Sequence, residues 1–270
     1  MPGDDGLCGP AVLAMLLAHA GALAPLAELV GAVYLPGRAG SLQAEMLAAL
    51  RRRQQLAVPV DGGWPALRDE LAAGLPVAAL VNLALPLWPR WHYLVVTAID
   101  PSRGAVRVHS GQVANAWWST ATFESVWARS GRWAFVAPRT GVLPASVDEA
   151  AGLRALLALD HSAGSGPAAL WWPAAARRWP ASLTAHVGAA QALEATGDTT
   201  AAIALLRDAA RRLDRAVLWN NLGVLLLARG DLAGAEQALA RALAIAEATE
   251  PDWLLAVRGS IADLAARRSR

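Results

Sequence analysis

Residues 91–111 read Trp91-His92-Tyr93-Leu94-Val95-Val96-Thr97-Ala98-Ile99-Asp100-Pro101-Ser102-Arg103-Gly104-Ala105-Val106-Arg107-Val108-His109-Ser110-Gly111. Two runs rich in β-formers, His92–Ile99 and Ala105–His109, flank the turn-forming stretch Asp100 to Gly104, a pattern that predicts an antiparallel hairpin. With the turn centred near residues 101–102, His92 falls opposite residues 111–112. The neighbours of its imidazole are then His109, Ser110, Gln112 and, less closely, Asn115. Asp100 lies at the far end of the strand and reads as a turn residue. A polar residue opening an apolar strand stands at a sheet's rim. His92 is therefore either a general base or a strand-end histidine bonded to a carbonyl.

Working outward from the hairpin, Pro76–Asn82 reads as a buried strand, Trp64–Ala73 as a helix ending at Gly74, and Leu56–Val60 as a short strand. Ser41 is placed to cap a helix over residues 42–52, Leu23–Val33 is a second apolar run, and Cys8-Gly9-Pro10 opens a helix reaching Ala20. Downstream come a helix near Phe123–Arg129 and a strand Trp133–Val136. Helices followed by mostly antiparallel strands predict an α+β domain over residues 1–140. The apolar run 9–27 follows Asp4 and Asp5 rather than basic residues, and His19 and Pro25 interrupt it, so it reads as a buried helix rather than a signal or a membrane span.

The chain of 270 residues allows one or two domains. Its 55% hydrophobic and 17% charged content excludes a disordered or collagenous chain. All 24 basic residues are arginine against 22 acidic ones, and the net charge of +2, without a basic cluster, does not mark a nucleic-acid binder. Arg51-Arg52-Arg53 reads as a solvated helix end. A single cysteine excludes an internal disulfide framework and a cysteine-based zinc site. No phosphate loop, dinucleotide fingerprint or His-Glu-x-x-His spacing is present, so neither a cofactor nor a metal is expected.

Beyond a linker at residues 141–148 the sequence turns Ala-rich and repetitive. Gly197-Asp198 recurs as Gly230-Asp231, and Leu193, Ala202, Leu206 and Ala209 align with Leu226, Ala235, Leu239 and Ala242. Trp219, Leu222 and Gly223 stand at the spacing of the tetratricopeptide consensus. Residues 216–249 and 183–215 resemble two tetratricopeptide repeats, a degenerate copy is expected before them, and 253–268 reads as a cap helix. An all-α tetratricopeptide repeat domain is therefore expected over residues 149–270, offering a surface for a protein partner.

Cys8 is either buried filler or a nucleophile. On the first turn of a helix it meets unpaired N–H groups and the positive dipole end, which favour thiolate. Such a nucleophile needs an imidazole base and a group that orients it. His19 sits in the apolar first helix, His161 in a Gly/Ser-rich segment and His186 at the repeat position of Trp219, so His92 is the best base. Trp88, Trp91, Trp117, Trp118 and Trp133 crowd the same half of the domain, as a peptide groove or as core and rim packing.

Asp4-Asp5-Gly6-Leu7-Cys8-Gly9-Pro10-Ala11, followed by Trp91-His92-Tyr93-Leu94-Val95-Val96 and then Val106-Arg107-Val108-His109-Ser110-Gly111, resembles the papain-like double-glycine (bacteriocin-processing) cysteine peptidase family. The resemblance covers about residues 4–137 and is closer to the bacterial branch that carries a tetratricopeptide tail. It implies a papain-like cysteine peptidase domain, with Cys8 as nucleophile, His92 as general base, and His109 or Ser110 at the position of the family's orienting Asp or Asn. It implies a peptide or protein substrate, with two glycines at the cleavage site. Two departures stand out. The family's oxyanion Gln five or six residues before the cysteine is replaced by Gly3 or Pro2, and no carboxylate or amide stands at the orienting position. A catalytically impaired peptide-binding protein or scaffold, and a papain-fold acyltransferase, are the alternative readings. The chain as it stands is expected in the cytoplasm, or in the periplasm or at a membrane if a signal segment precedes Met1.

Overall fold

The structure is a computed structural model that describes residues 4–61, 63–111, 113–163 and 165–269. The chain forms two compact units, Met1–Ala168 and Ala169–Arg270.

The first unit is mixed α and β. Its helices are α1 (Cys8–Ala20), α2 (Leu26–Val33), α3 (Gln43–Arg52), α4 (Trp64–Ala72), α5 (Thr120–Ala128), α6 (Glu149–Ala163) and the single turn α7 (Ser165–Ala168). Its strands are β1 (Val58–Val60), β2 (Val77–Asn82), β3 (Trp91–Asp100), β4 (Ala105–Ser110), β5 (Val113–Ser119) and β6 (Ala134–Val136). They form one antiparallel sheet in the order β1-β6-β2-β3-β4-β5.

Helix α1 sets the core. Val12, Leu13, Leu16 and Leu17 are buried, and they share one cluster with Ala78, Tyr93, Val95 and Phe135 of the sheet. Leu80 pairs with Tyr93 and Ala78 with Val95, so these residues belong to the sheet face that α1 covers. The helix ends at Gly21, whose φ of 83° is left-handed and whose N–H returns to Ala18 O. The central hairpin pairs Leu94 with Ser110 and Val95 with His109, with an irregularity between Val96 and Ala98.

Three features depart from the sequence expectations. Ser41 does not cap α3: Leu42 precedes the helix in extended backbone, and the buried Ser41 hydroxyl has no hydrogen-bond partner among the described residues. Strand β5 has no counterpart in the sequence reading because it is a largely exposed edge, with Asn115 at φ 56° breaking its alternation. The boundary between the units falls after Ala168, past the segment 141–148 expected as a linker. Helix α6 packs on α3 and β1. The segment before it is held by the buried carboxylate of Glu70 on α4, which accepts the N–H groups of Ala145 and Ser146 and the Ser146 hydroxyl.

The second unit consists of α8 (Trp172–Arg178), α9 (Leu183–Ala195), α10 (Thr199–Leu213), α11 (Ala216–Ala228), α12 (Leu232–Ala248) and α13 (Leu254–Arg268). Each helix packs against the next in sequence. The repeated Gly-Asp pairs act as punctuation: Gly197 and Gly230 take φ of 84° and 81°, and Asp198 and Asp231 cap α10 and α12 through their side chains. Close approach requires Gly223, where an added Cβ would lie 2.6 Å from Leu239 Cγ, and Gly188, where it would meet the Trp172 ring at 2.6 Å. Among the described residues no helix is long and apolar enough to cross a membrane.

Candidate functional site

The site is built where α1 begins. A short 3-10 turn, Asp4–Leu7, leads into Cys8, and Leu7 provides no side-chain cap. The first-turn N–H groups are therefore not satisfied from the N-cap position, and their positive pole lies beside the thiol. Cys8, outside any disulfide and 7% exposed, lines a cavity of about 650 Å³ together with Arg38, Ser41, Trp91, Tyr93 and Arg129. Gly9 makes this corner possible. A Cβ at residue 9 would collide with the Ser41 hydroxyl and lie 2.8 Å from Ser41 Cβ, so only glycine lets the 35–41 loop reach the helix start.

Tyr93 closes the corner from the sheet. Its phenol donates to Ser41 O at 3.3 Å. Burial pushes the phenol well above the ordinary tyrosine range, and the neighbouring Cys8 pushes it further. Tyr93 is thus a neutral hydrogen-bond donor at any physiological pH.

His92 opens the interior of β3 and is half-buried. Its Nε2 meets the Ser110 hydroxyl at 2.9 Å. Because Leu94 pairs with Ser110 and Val95 with His109, Ser110 shares His92's face of the sheet and His109 takes the opposite one. The His109 Nδ1 accepts the Asn115 N–H at 3.4 Å instead. Of the two residues expected beside the His92 imidazole, Ser110 is the one within hydrogen-bonding distance, and His109 lies on the other face. Gln112, and Pro2 and Gly3 where the oxyanion glutamine was sought, lie outside the described residues. The structure thus brings His92 to Ser110, and Cys8 to Tyr93 and the Ser41 loop, and it sets His109 apart.

The remaining candidates have structural roles. Asp100 accepts from the Ser102 hydroxyl and from the N–H groups of Ser102 and Arg103, which hold its carboxyl below the usual range. His19, on α1, has a lowered pKa because of burial and then Arg139. His161 is exposed near the end of α6, and His186, in the second unit, pairs Nδ1 with Ser182 O and Nε2 with Arg212. Of the five tryptophans named beside His92 in the sequence, Trp91 lines the cavity. Trp117 lies under the guanidinium groups of Arg103 and Arg107, and Trp133 packs on Tyr93 and Phe135.

Arg38, Ser41 and Arg129 carried no signal in sequence that pointed to the site, and Tyr93 was marked only as part of the motif around His92. They reach it through a loop, a strand and a helix end whose convergence only the fold sets. Among the described residues no group of three or more His, Cys, Asp or Glu side chains could hold a metal ion. No protein-family model matches the chain, and no curated protein matches it.

Proposed function

We propose that the first unit is a papain-like cysteine peptidase and that the second unit, built from tetratricopeptide-like helix pairs, recruits a protein partner or substrate. The observation that carries this reading is the His92 Nε2–Ser110 bond on a strand whose neighbours, Trp91 and Tyr93, line the Cys8 cavity. In this reading the His92 imidazole takes the thiol proton. In the proposed cycle the Cys8 thiolate attacks the scissile carbonyl and His92 returns the proton to the leaving amine. Water then cleaves the thioester. Amides at the start of α1, Cys8 N–H among them, face the oxyanion. Ser110 orients the imidazole but carries no charge to stabilise imidazolium. Replacing a triad carboxylate by a neutral group costs about 10⁴ in turnover in the serine-protease case, so a slow enzyme is expected.

The same Ser110 favours a second reading, a papain-like protein that holds peptide and does not cut it. Incubation with a denatured-protein pool and mass spectrometry of the fragments separates the two. Cleavage that disappears in Cys8→Ser and His92→Ala supports the peptidase. Fragments that persist in Cys8→Ser, or none from the wild type, contradict it.

A further inference from the structure

The cavity beside Cys8 carries a charge imbalance. Two guanidinium groups, Arg38 and Arg129, line it, and among its described lining residues there is no carboxylate. The Arg38 side chain is exposed and has no ion-pair or hydrogen-bond partner among the described residues. Arg129, at the end of α5, donates to Asn82 O at 3.3 Å, to Ala84 O at 2.8 Å and to Ser125 Oγ at 3.2 Å. All three acceptors are neutral, so these bonds fix the guanidinium in place without cancelling its charge.

Other arginines of the described residues are neutralised by a carboxylate: Arg53 by Glu28, Arg132 by Glu124, Arg241 by Asp214 and Arg268 by Glu236. Two uncompensated guanidinium groups at the mouth of one concave site raise the local concentration of anions there, and each is a donor suited to a carboxylate. The other walls are Leu42, Leu80, Pro89, Trp91 and Tyr93, which suit apolar backbone and side-chain atoms next to that charge.

Resting on the reading of this cavity as a peptide site, we propose that it selects peptides bearing a carboxylate, held by Arg38 and Arg129 while the chain lies along Cys8. The carboxylate belongs either to an acidic side chain or to the peptide's own C-terminus. The chemistry is the same in both cases, and the test tells them apart.

The test uses the full-length Cys8→Ser protein, so that turnover cannot intervene, and fluorescence anisotropy of a rhodamine-labelled Ala/Gly hexapeptide in four forms. These carry central Glu or Gln, each with a free or an amidated C-terminus. At least one carboxylate form is expected to bind about tenfold or more tightly than the amidated Gln form, the scale of one charge-assisted hydrogen bond. Which form wins identifies the source of the carboxylate. The preference should fall severalfold in Arg38→Gln and in Arg129→Gln, persist in Arg38→Lys, and weaken with added salt. Arg129→Gln loses bonds to the β2–β3 connection, so the exposed Arg38 carries the decision if that variant does not fold. Equal affinity for all four peptides, no binding of any, or a preference unchanged in Arg38→Gln overturns the proposal. A wild-type protein that shows the preference but never cleaves peptide removes the peptidase reading and leaves this one standing.

Discussion

Gly9 and Ser41 meet where the helix start and the 35–41 loop converge, with no room between them for a methyl group. Gly9→Ala is expected to destabilise the first unit by about 1–3 kcal/mol, the usual scale of overpacking a closed site, read as a drop in thermal midpoint. A wild-type midpoint in that variant would mean that the loop yields freely. Tyr93→Phe removes only a long hydrogen bond to a carbonyl and should cost about 1 kcal/mol or less. At this scale the sequence was partly legible. Cys8 and His92 can be picked out as candidates by residue type and position. Ser110 could not be chosen over His109 without the register, because adjacent strand residues face opposite ways and a shift of one exchanges them.

Among the elements, the hairpin was the most legible. Its turn chemistry and β-rich runs predict His92 opposite residues 111–112, and the observed partner pair Leu94–Ser110 lies two residues inside that position. Helix α1 was legible from Cys-Gly-Pro at its start. The exposed edge β5 was not, since strand periodicity reports burial on one face and β5 buries little. Nor was the attachment of residues 141–163 to the first unit, which depends on the buried Glu70 and on α6 covering α3 and β1. Glu70→Ala would leave the Ala145 and Ser146 amides and the Ser146 hydroxyl without their acceptor. A loss of about 2–4 kcal/mol is expected in chemical denaturation, with early proteolysis near residues 140–148. A change below 0.5 kcal/mol, within the ordinary range of surface substitutions, would show that water replaces the carboxylate there.

Over the whole molecule, the sequence foretold two parts of different character, an α+β part and an Ala-rich helical part, because periodicity and repetition are local properties. It could not place the boundary between them, which is set by packing. The helical unit is expected to show an acid sensitivity of its own. Asp214 accepts from Arg241 and from the Trp219 indole at 2.9 Å, and the guanidinium first and the indole second hold its carboxyl below the usual range. A depressed folded-state pKa gives stability that is present above the unfolded value of about 3.9 and is lost as pH falls through the folded value. The pair is exposed, so Asp214→Asn should cost under about 1 kcal/mol at neutral pH, and it should flatten the acid limb of the second unit's stability curve. An acid limb unchanged from wild type would assign that sensitivity elsewhere.

The central claim, that Cys8 and His92 act as one activated pair, is tested most directly through the only thiol in the chain. The measurement is the rate of Cys8 alkylation by iodoacetamide as a function of pH, in the wild type, His92→Ala and Ser110→Ala. The account predicts thiolate reactivity persisting well below the free-cysteine value of about 8.5, lost in His92→Ala and weakened in Ser110→Ala. A thiol that is unreactive, or that titrates near 8.5 whichever residue stands at position 92, would contradict it.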